Sequence, residues 1–158
     1  MRDLQQMCAQ NSIDCEVAYS QSNGKVLNGY KMGNILSNKL HAALSRISGK
    51  QGYFSFISTC NLLSFIDDYH PNIIHLHNFH GCYINLTMIL KYAAKKDISI
   101  IVSLHDCWFY TGGCSHYTSV GCLKWLYECG NCPLRYHETP AYLWDSSSKI
   151  LADRKKLF

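Results

Sequence analysis

Apolar residues recur at intervals of three and four positions in four stretches of the chain. This spacing places them on one side of a helix, so it predicts four helices, over residues 2–10, 31–47, 59–69 and 83–95. The second helix carries its apolar positions at Ile35, Leu36, Leu40, Ala43, Leu44 and Ile47. Ser48-Gly49 follows directly and is a typical end signal. The third helix has its expected buried face at Leu62, Leu63 and Ile66.

Three shorter apolar stretches, residues 16–19, 73–76 and 98–104, predict strands. The last is rich in β-branched residues and does not alternate between apolar and polar positions, which is typical of a strand covered on both faces of a parallel sheet. A predicted helix separates the second and third strands, so they form a βαβ unit. The sequence therefore predicts an α/β fold with a parallel sheet. Between the first strand and the second helix, residues 20–29 read as a loop with a turn at Asn23-Gly24.

Length and composition are those of one globular domain. The chain has 158 residues, and 47% of them are hydrophobic, which is enough for a sizeable core and too much for a disordered protein. The formal net charge is only +4, and its one dense basic stretch, 154–156, is expected to be a solvated helix face. Charge therefore does not indicate a nucleic-acid partner. No stretch reads as a signal peptide or membrane span, so we expect a cytoplasmic protein.

Both strands of the βαβ unit end in polar residues whose side chains can take part in binding or catalysis. The first strand leads into His75-Leu76-His77-Asn78-Phe79-His80, and the second into His105-Asp106-Cys107-Trp108. Ligands of parallel sheets bind at the carboxyl ends of the strands, so His77, His80 and His105 are expected around one crevice. His75 is expected to point away from His77 and to be a buried, hydrogen-bonded histidine.

Five of the nine cysteines lie in residues 105–140, a stretch without sustained periodicity. Cys129 and Cys132 have the two-residue spacing that allows two sulfurs to reach one tetrahedral metal at about 2.3 Å each. With Cys114 and Cys122 they make a candidate structural zinc site, for which Cys107 and His116 are spare ligands. Buried free thiols and a disulfide are the alternatives, the latter disfavoured in a reducing compartment.

Two long motifs carry a resemblance to a known family. The segments PNIIHLHNFHGCYIN (71–85) and SLHDCWFYTG (103–112) resemble the amino-terminal domain of bacterial glycosyltransferases. The subgroup is the retaining, nucleotide-sugar-dependent family 4 that builds colanic acid, capsule, exopolysaccharide or O-antigen. The residues SRISG (45–49), Gly52 and the cysteine-rich stretch 114–133 are also similar to that subgroup.

The resemblance implies a Rossmann-like fold, the amino-terminal half of a two-domain enzyme of the GT-B type. It implies that this half holds a sugar or lipid-linked saccharide acceptor, at the inner membrane face, while a nucleotide-sugar donor binds to the other half. His105 takes the place of the family's cleft histidine, which contacts the donor sugar. The other implied substrate contacts are His77, Asn78, His80, Asn85, Asp106 and Trp108. For Asp106 the alternative is a cap of the next turn, and for Trp108 it is burial in the core.

The family pattern also includes parts that this sequence lacks. Family members begin with a strand and a glycine-rich loop, and they end with a donor-binding domain that carries paired glutamates. Here the three glutamates are Glu16, Glu128 and Glu138, and no two are eight positions apart, which is the interval of that pair. The chain is therefore interpreted as a partial acceptor-side domain over residues 1–158, inactive alone. The competing hypothesis is a non-catalytic, zinc-stabilised α/β interaction module.

Overall fold

The computed structural model describes residues 2–21, 29–138 and 140–157, which contain α-helices and short parallel strands. The predicted turn at Asn23-Gly24 lies outside these ranges. None of the described helices is both long enough and apolar enough to cross a membrane. The elements in chain order are α1 (Arg2–Gln10), β1 (Val17–Tyr19), β2 (Gly29–Lys31), α2 (Ile35–Ser48), α3 (Phe56–Tyr69), β3 (Ile73–His77), α4 (Leu86–Lys96), β4 (Ser99–Ser103) and α5 (Ser147–Lys155).

The strands form two parallel pairs. β1 pairs with β2, and β3 pairs with β4 in a register that sets His77 opposite Ser103. Helix α4 connects β3 to β4, so the predicted βαβ unit is confirmed. Because the two strands are parallel and in register, the chain leaves both at the same edge of the sheet, after His77 in β3 and after Ser103 in β4.

Local signals determine where the helices begin and end. The side chain of Asn34 accepts a hydrogen bond from the Ser37 amide in a capping box at the start of α2. At the other end Gly49 has a φ of 69°, a left-handed conformation that suits glycine, as the Ser48-Gly49 signal predicts. Asn85 caps the start of helix α4, since its side chain accepts a hydrogen bond from the Met88 amide.

The core lies on one side of the β3–β4 pair, between the sheet and helices α3 and α4. Its buried members are Met32, Leu62, Ile66, Leu76, Ile84, Leu86, Ile89, Leu90 and Trp108. The opposite side of the pair is open, since Ile73 and Ile101 are 53% and 47% exposed. The expectation of strands covered on both faces is therefore wrong for the described residues, where burial alternates along β3 and β4.

Helix α2 does not bury its apolar face. Ile35 and Leu36 are 76% and 78% exposed, and the buried residues of this helix are His41 and Ser45. The imidazole of His41 lies between two backbone segments, with Nδ1 2.7 Å from Ser55 Oγ and Nε2 accepting the Gly52 amide at 3.3 Å. The helix is thus oriented by a polar residue that the apolar periodicity does not mark.

The burial of His41 predicts acid sensitivity of the fold. Burial lowers the pKa of His41 to about 4, below its ordinary value of 6.5, so the folded state favours the neutral ring. The resulting stability is present above pH 6.5 and is lost as the pH falls toward 4. We expect the urea midpoint to fall between pH 7 and pH 5, and to fall less in His41→Gln. The control is His137→Gln, at an exposed position; an equal pH dependence in all three proteins would contradict the prediction.

Helix α5 covers Ser147–Lys155, of which the sequence predicted only a basic helix face at residues 154–156. It presents Lys155 and Lys156 at the surface, as expected for a basic helix face, but Arg154 is only 4% exposed. The solvated position expected for Arg154 is therefore wrong. Its guanidinium packs over the Trp108 ring with Cζ 3.9 Å from the ring centroid. Because cation and ring stack in a water-poor setting, α5 is held against the segment that follows β4.

Candidate functional site

Three histidines lie side by side where β3 and β4 end. His77 Nδ1 is 3.0 Å from His105 Nε2, and the ring centroids of His75 and His77 are 4.1 Å apart. His75 is exposed, with Nε2 2.8 Å from Ser103 Oγ, so the expected buried position is wrong. The physical reason is strand alternation, because residues two positions apart lie on the same face of a strand.

We call His75, His77 and His105 the histidine row, and His77 is its middle member. Its Nε2 is buried and has no hydrogen-bond partner within the described part of the chain. Burial lowers the pKa of His77, and the nearby His75 and His105 lower it further. A neutral His77 has one donor and one acceptor nitrogen, and its contact to His105 involves Nδ1 only.

Asp106 makes contacts with two parts of the site. Its Oδ2 is 3.1 Å from His80 Nε2, and its Oδ1 accepts a hydrogen bond from the Trp108 amide at 2.8 Å. The carboxylate therefore caps the turn after β4 and also orients the imidazole of His80. Asp106 therefore caps the turn, as the alternative in the sequence analysis has it, and also contacts the candidate residue His80.

A small cavity of about 20 Å³ lies among these residues. Of the sequence-predicted site residues, those that line it are Asn78, His80, His105, Asp106 and Trp108. Asn78 has a φ of 49°, a left-handed conformation that turns the chain sharply after β3. The structure thus brings five of the seven candidates to one cavity at the carboxyl edge of the sheet, with His77 adjacent through its 3.0 Å contact to His105.

Asn85 and Trp108 are buried and tied to the protein itself. Asn85 is 4% exposed; its side chain caps α4 and also donates to the Tyr53 carbonyl at 2.6 Å. An acceptor contact is therefore not supported for Asn85, because both ends of its amide are occupied. Trp108 is 1% exposed and its Nε1 donates to Gln51 Oε1 at 3.0 Å. Its ring is a core element at the floor of the cavity, not an exposed stacking platform.

Two residues that sequence reasoning missed bind the segments that follow β3 and β4 at the carboxyl edge of the sheet. Gln51 binds the Trp108 indole through Oε1 and the His80 carbonyl through Nε2. Arg154 donates to the carbonyls of Trp108 and Thr111, the latter at 2.7 Å. Neither has a local sequence signal, since each partner is more than 28 positions away. The nearby SRISG segment (45–49) resembles the glycosyltransferase subgroup but does not indicate these contacts of Gln51.

The four cysteines that are candidate zinc ligands line a second small cavity. Cys114, Cys122, Cys129 and Cys132 all line this cavity of about 20 Å³, which we call the thiol cavity. Burial raises the pKa of Cys114 to about 11, and burial also raises the pKa of Cys129 and Cys132. Across residues 2–21, 29–138 and 140–157, no three or more Cys, His, Asp or Glu side chains are arranged as a metal-holding group.

The spare ligands suggested by the sequence lie apart from the thiol cavity. His116 pairs with Glu138, with Nδ1 3.2 Å from Oε1, and neither Cys107 nor His116 lines the cavity. The Cys107 thiol instead forms a hydrogen bond with the Tyr110 side chain. The structure thus separates these two residues from the set of four thiols.

Comparison with known proteins gives one distant relative. The chain is 29% identical over 93 residues to "Putative colanic acid biosynthesis glycosyl transferase WcaC" of Escherichia coli (strain K12). The match covers 56% of this chain and 22% of that protein, so it spans about a fifth of the relative's length. No protein-family profile and no solved structure matches the chain. The chain is therefore distantly similar to a glycosyltransferase over more than half of its length.

Proposed function

We propose that this chain is the acceptor-side part of a nucleotide-sugar-dependent glycosyltransferase that acts in cell-surface polysaccharide synthesis. The observation that carries the proposal is its 29% identity to the Escherichia coli protein named as a colanic acid glycosyl transferase. The finer assignment is a retaining enzyme of family 4 and GT-B architecture. Its acceptor would be a sugar or lipid-linked saccharide at the cytoplasmic face of the membrane, with the donor held by a second domain.

The histidine row and the adjacent carboxylate are suited to binding sugar hydroxyls. Imidazole nitrogens donate or accept, and a carboxylate accepts from hydroxyl groups. His105 is exposed beside the cavity, and His77, at 3.0 Å, restricts its orientation. A positioned hydrogen bond of this kind favours an oxocarbenium-like transition state if it strengthens as the donor bond breaks. The roles we assign are donor-sugar contact for His105 and acceptor contacts for His80, Asn78 and Asp106.

A wide cleft between the two strand pairs supports the interpretation as a partial domain. The cleft measures about 2020 Å³, and both β1 and β3 line it. Within the described residues β1 pairs only with β2, and β3 only with β4, so each pair has a free backbone edge. Parallel strands normally lie in sheets with both edges and faces protected. One further strand in the cleft would join the pairs into a continuous parallel sheet.

The test of this proposal compares the 158-residue chain with the longer protein that contains it. We expect the longer protein to transfer sugar from one member of a panel of UDP- and GDP-sugars to a lipid-linked acceptor. The 158-residue chain should yield no product, because a donor site of paired glutamates has no counterpart among Glu16, Glu128 and Glu138. Turnover by the short chain would contradict the partial-domain assignment. Absence of turnover and of nucleotide-sugar binding by the longer protein would favour the non-catalytic interaction module.

A further inference from the structure

We propose that Cys114, Cys122, Cys129 and Cys132 bind one structural zinc ion at the thiol cavity. The first observation is convergence. The four cysteines span 19 residues and come from separate turns of an irregular segment, yet all four line a single cavity of about 20 Å³. A space of that size accommodates about one water-sized sphere, which suits a single ion and excludes a larger ligand. The other five cysteines lie elsewhere.

The backbone around the thiol cavity has features of a thiolate-binding knuckle. Between Cys129 and Cys132, Gly130 and Asn131 both have positive φ, 142° and 44°, which closes a tight turn. The Leu134 amide donates a hydrogen bond to the Cys132 sulfur, and the Gly112 amide donates one to the Cys129 sulfur. Backbone amides directed at cysteine sulfurs are the outer contacts that a metal-bound cysteine accepts.

Positive charge beside the thiol cavity suits a metal centre with four thiolates, whose net charge is −2. Lys124 lines the cavity and its Nζ donates to the carbonyls of Gly130 and Asn131 at 2.9 and 3.3 Å. Lys155 Nζ donates to the Tyr127 carbonyl at 2.9 Å. The apolar rings of Trp125 and Pro133 also line the cavity. Soft thiolates in this setting select zinc over magnesium or calcium.

The segment has little regular structure of its own to hold it in place. Over residues 105–138 the described elements are two short 3-10 turns, Tyr117–Val120 and Lys124–Leu126, with no strand or α-helix. Irregular segments of this length are uncommon in compact domains without an additional constraint. A metal that joins four points of the segment supplies that constraint, because its binding energy becomes folding energy. Four protein ligands leave no open coordination position, so the role is structural.

In the structure as it stands the four thiols line the cavity without forming a ligand set. Binding therefore requires a rearrangement that brings the four cysteine side chains closer together. Each thiol that binds releases its proton to solvent, and no oxidant or reductant takes part. The proposal concerns the cysteine segment alone and does not depend on the proposed glycosyltransferase function.

The test measures metal in the 158-residue chain purified under reducing conditions without chelator. We expect close to one zinc per chain by elemental analysis. Replacement of zinc by Co²⁺ should give the visible absorption of tetrahedral cobalt together with sulfur-to-cobalt charge-transfer bands. Cys129→Ser combined with Cys132→Ser should remove the metal and speed proteolysis within 105–138. The matched control is Cys8→Ser with Cys60→Ser, which removes the same number of thiols at positions outside the thiol cavity.

Three outcomes would overturn the proposal. The unmutated chain could contain no zinc and show no sulfur-to-cobalt bands, which leaves buried free thiols as the better account. The Cys129/Cys132 variant could retain the same zinc content as the control. Peptide mass mapping under non-reducing conditions could show loss of hydrogen at these four cysteines, which would assign disulfides. Because the first and third measurements use the unmutated chain, a variant that fails to fold does not remove the test.

Discussion

In the longer glycosyltransferase that we propose contains this chain, His105→Ala is expected to lower kcat by about 10²-fold while leaving the folding transition nearly unchanged. The loss corresponds to one positioned hydrogen bond that acts chiefly in the transition state. His105 is suited to this role because it is exposed at the end of β4 and contacts His77 at 3.0 Å. Truncation of an exposed ring removes little buried surface, so stability should be preserved. Steady-state kinetics and a urea titration of the same preparations measure both effects.

The matched control for this variant is His70→Ala. His70 is an exposed histidine near the amino end of β3, whereas His105 lies beyond the carboxyl edge of the sheet. We expect turnover of the control to equal that of the unmutated enzyme. Unchanged turnover in His105→Ala, with normal folding, would assign His105 to a structural role. An equal loss in both variants would point to a general effect of histidine removal and would also contradict the site.

Trp108→Ala is expected to destabilise the chain by about 3–5 kcal/mol, the range for deletion of a large buried aromatic side chain. Trp108 is 1% exposed and is the largest fully buried side chain of the described structure. The substitution leaves a cavity in the core, removes the hydrogen bond to Gln51 Oε1, and exposes the guanidinium of Arg154 to an empty space. Chemical denaturation monitored by circular dichroism measures the change in the free energy of unfolding.

A second tryptophan provides the comparison for Trp108. Trp144 is 60% exposed, so Trp144→Ala removes the same side chain without a comparable cavity and should change stability by less than about 1 kcal/mol. Trp108→Phe retains most of the buried volume and should lie between the two. A destabilisation of Trp108→Ala no larger than that of Trp144→Ala would contradict the assignment of Trp108 to the core.

The histidine row shows what the pattern of a strand can and cannot predict. The apolar runs placed β3, β4 and the intervening helix correctly, because strands and helices are recognised from local periodicity. Parallel pairing then brings the residues after both strands to one edge, which accounts for the closeness of His77 and His105. The same pattern does not report which face is covered. His75 therefore turned out to be exposed beside His77, on the open face of the sheet.

The chemistry of the site was set by contacts between distant parts of the chain. Gln51 binds the Trp108 indole across 57 positions, and Arg154 binds the Trp108 carbonyl across 46. These contacts make Trp108 a buried support, although its position in the sequence beside His105 and Asp106 also suited a sugar contact. No interval within the sequence encodes such pairs, because they arise only when α5 and the segment after α2 both pack against Trp108.

The sequence by itself determined four of the five α-helices and the βαβ unit. It also determined two groups of chemically capable residues, which are the strand-end histidines and the four spaced cysteines. All of these depend on spacing along the chain, which the backbone geometry of helices, strands and turns converts directly into position. The tertiary structure alone decided which faces are buried. In α2, His41 is buried while Ile35 and Leu36 are exposed, and in α5 Arg154 is buried. Burial depends on which elements pack together, and a polar side chain is accepted inside where distant backbone groups satisfy its hydrogen bonds.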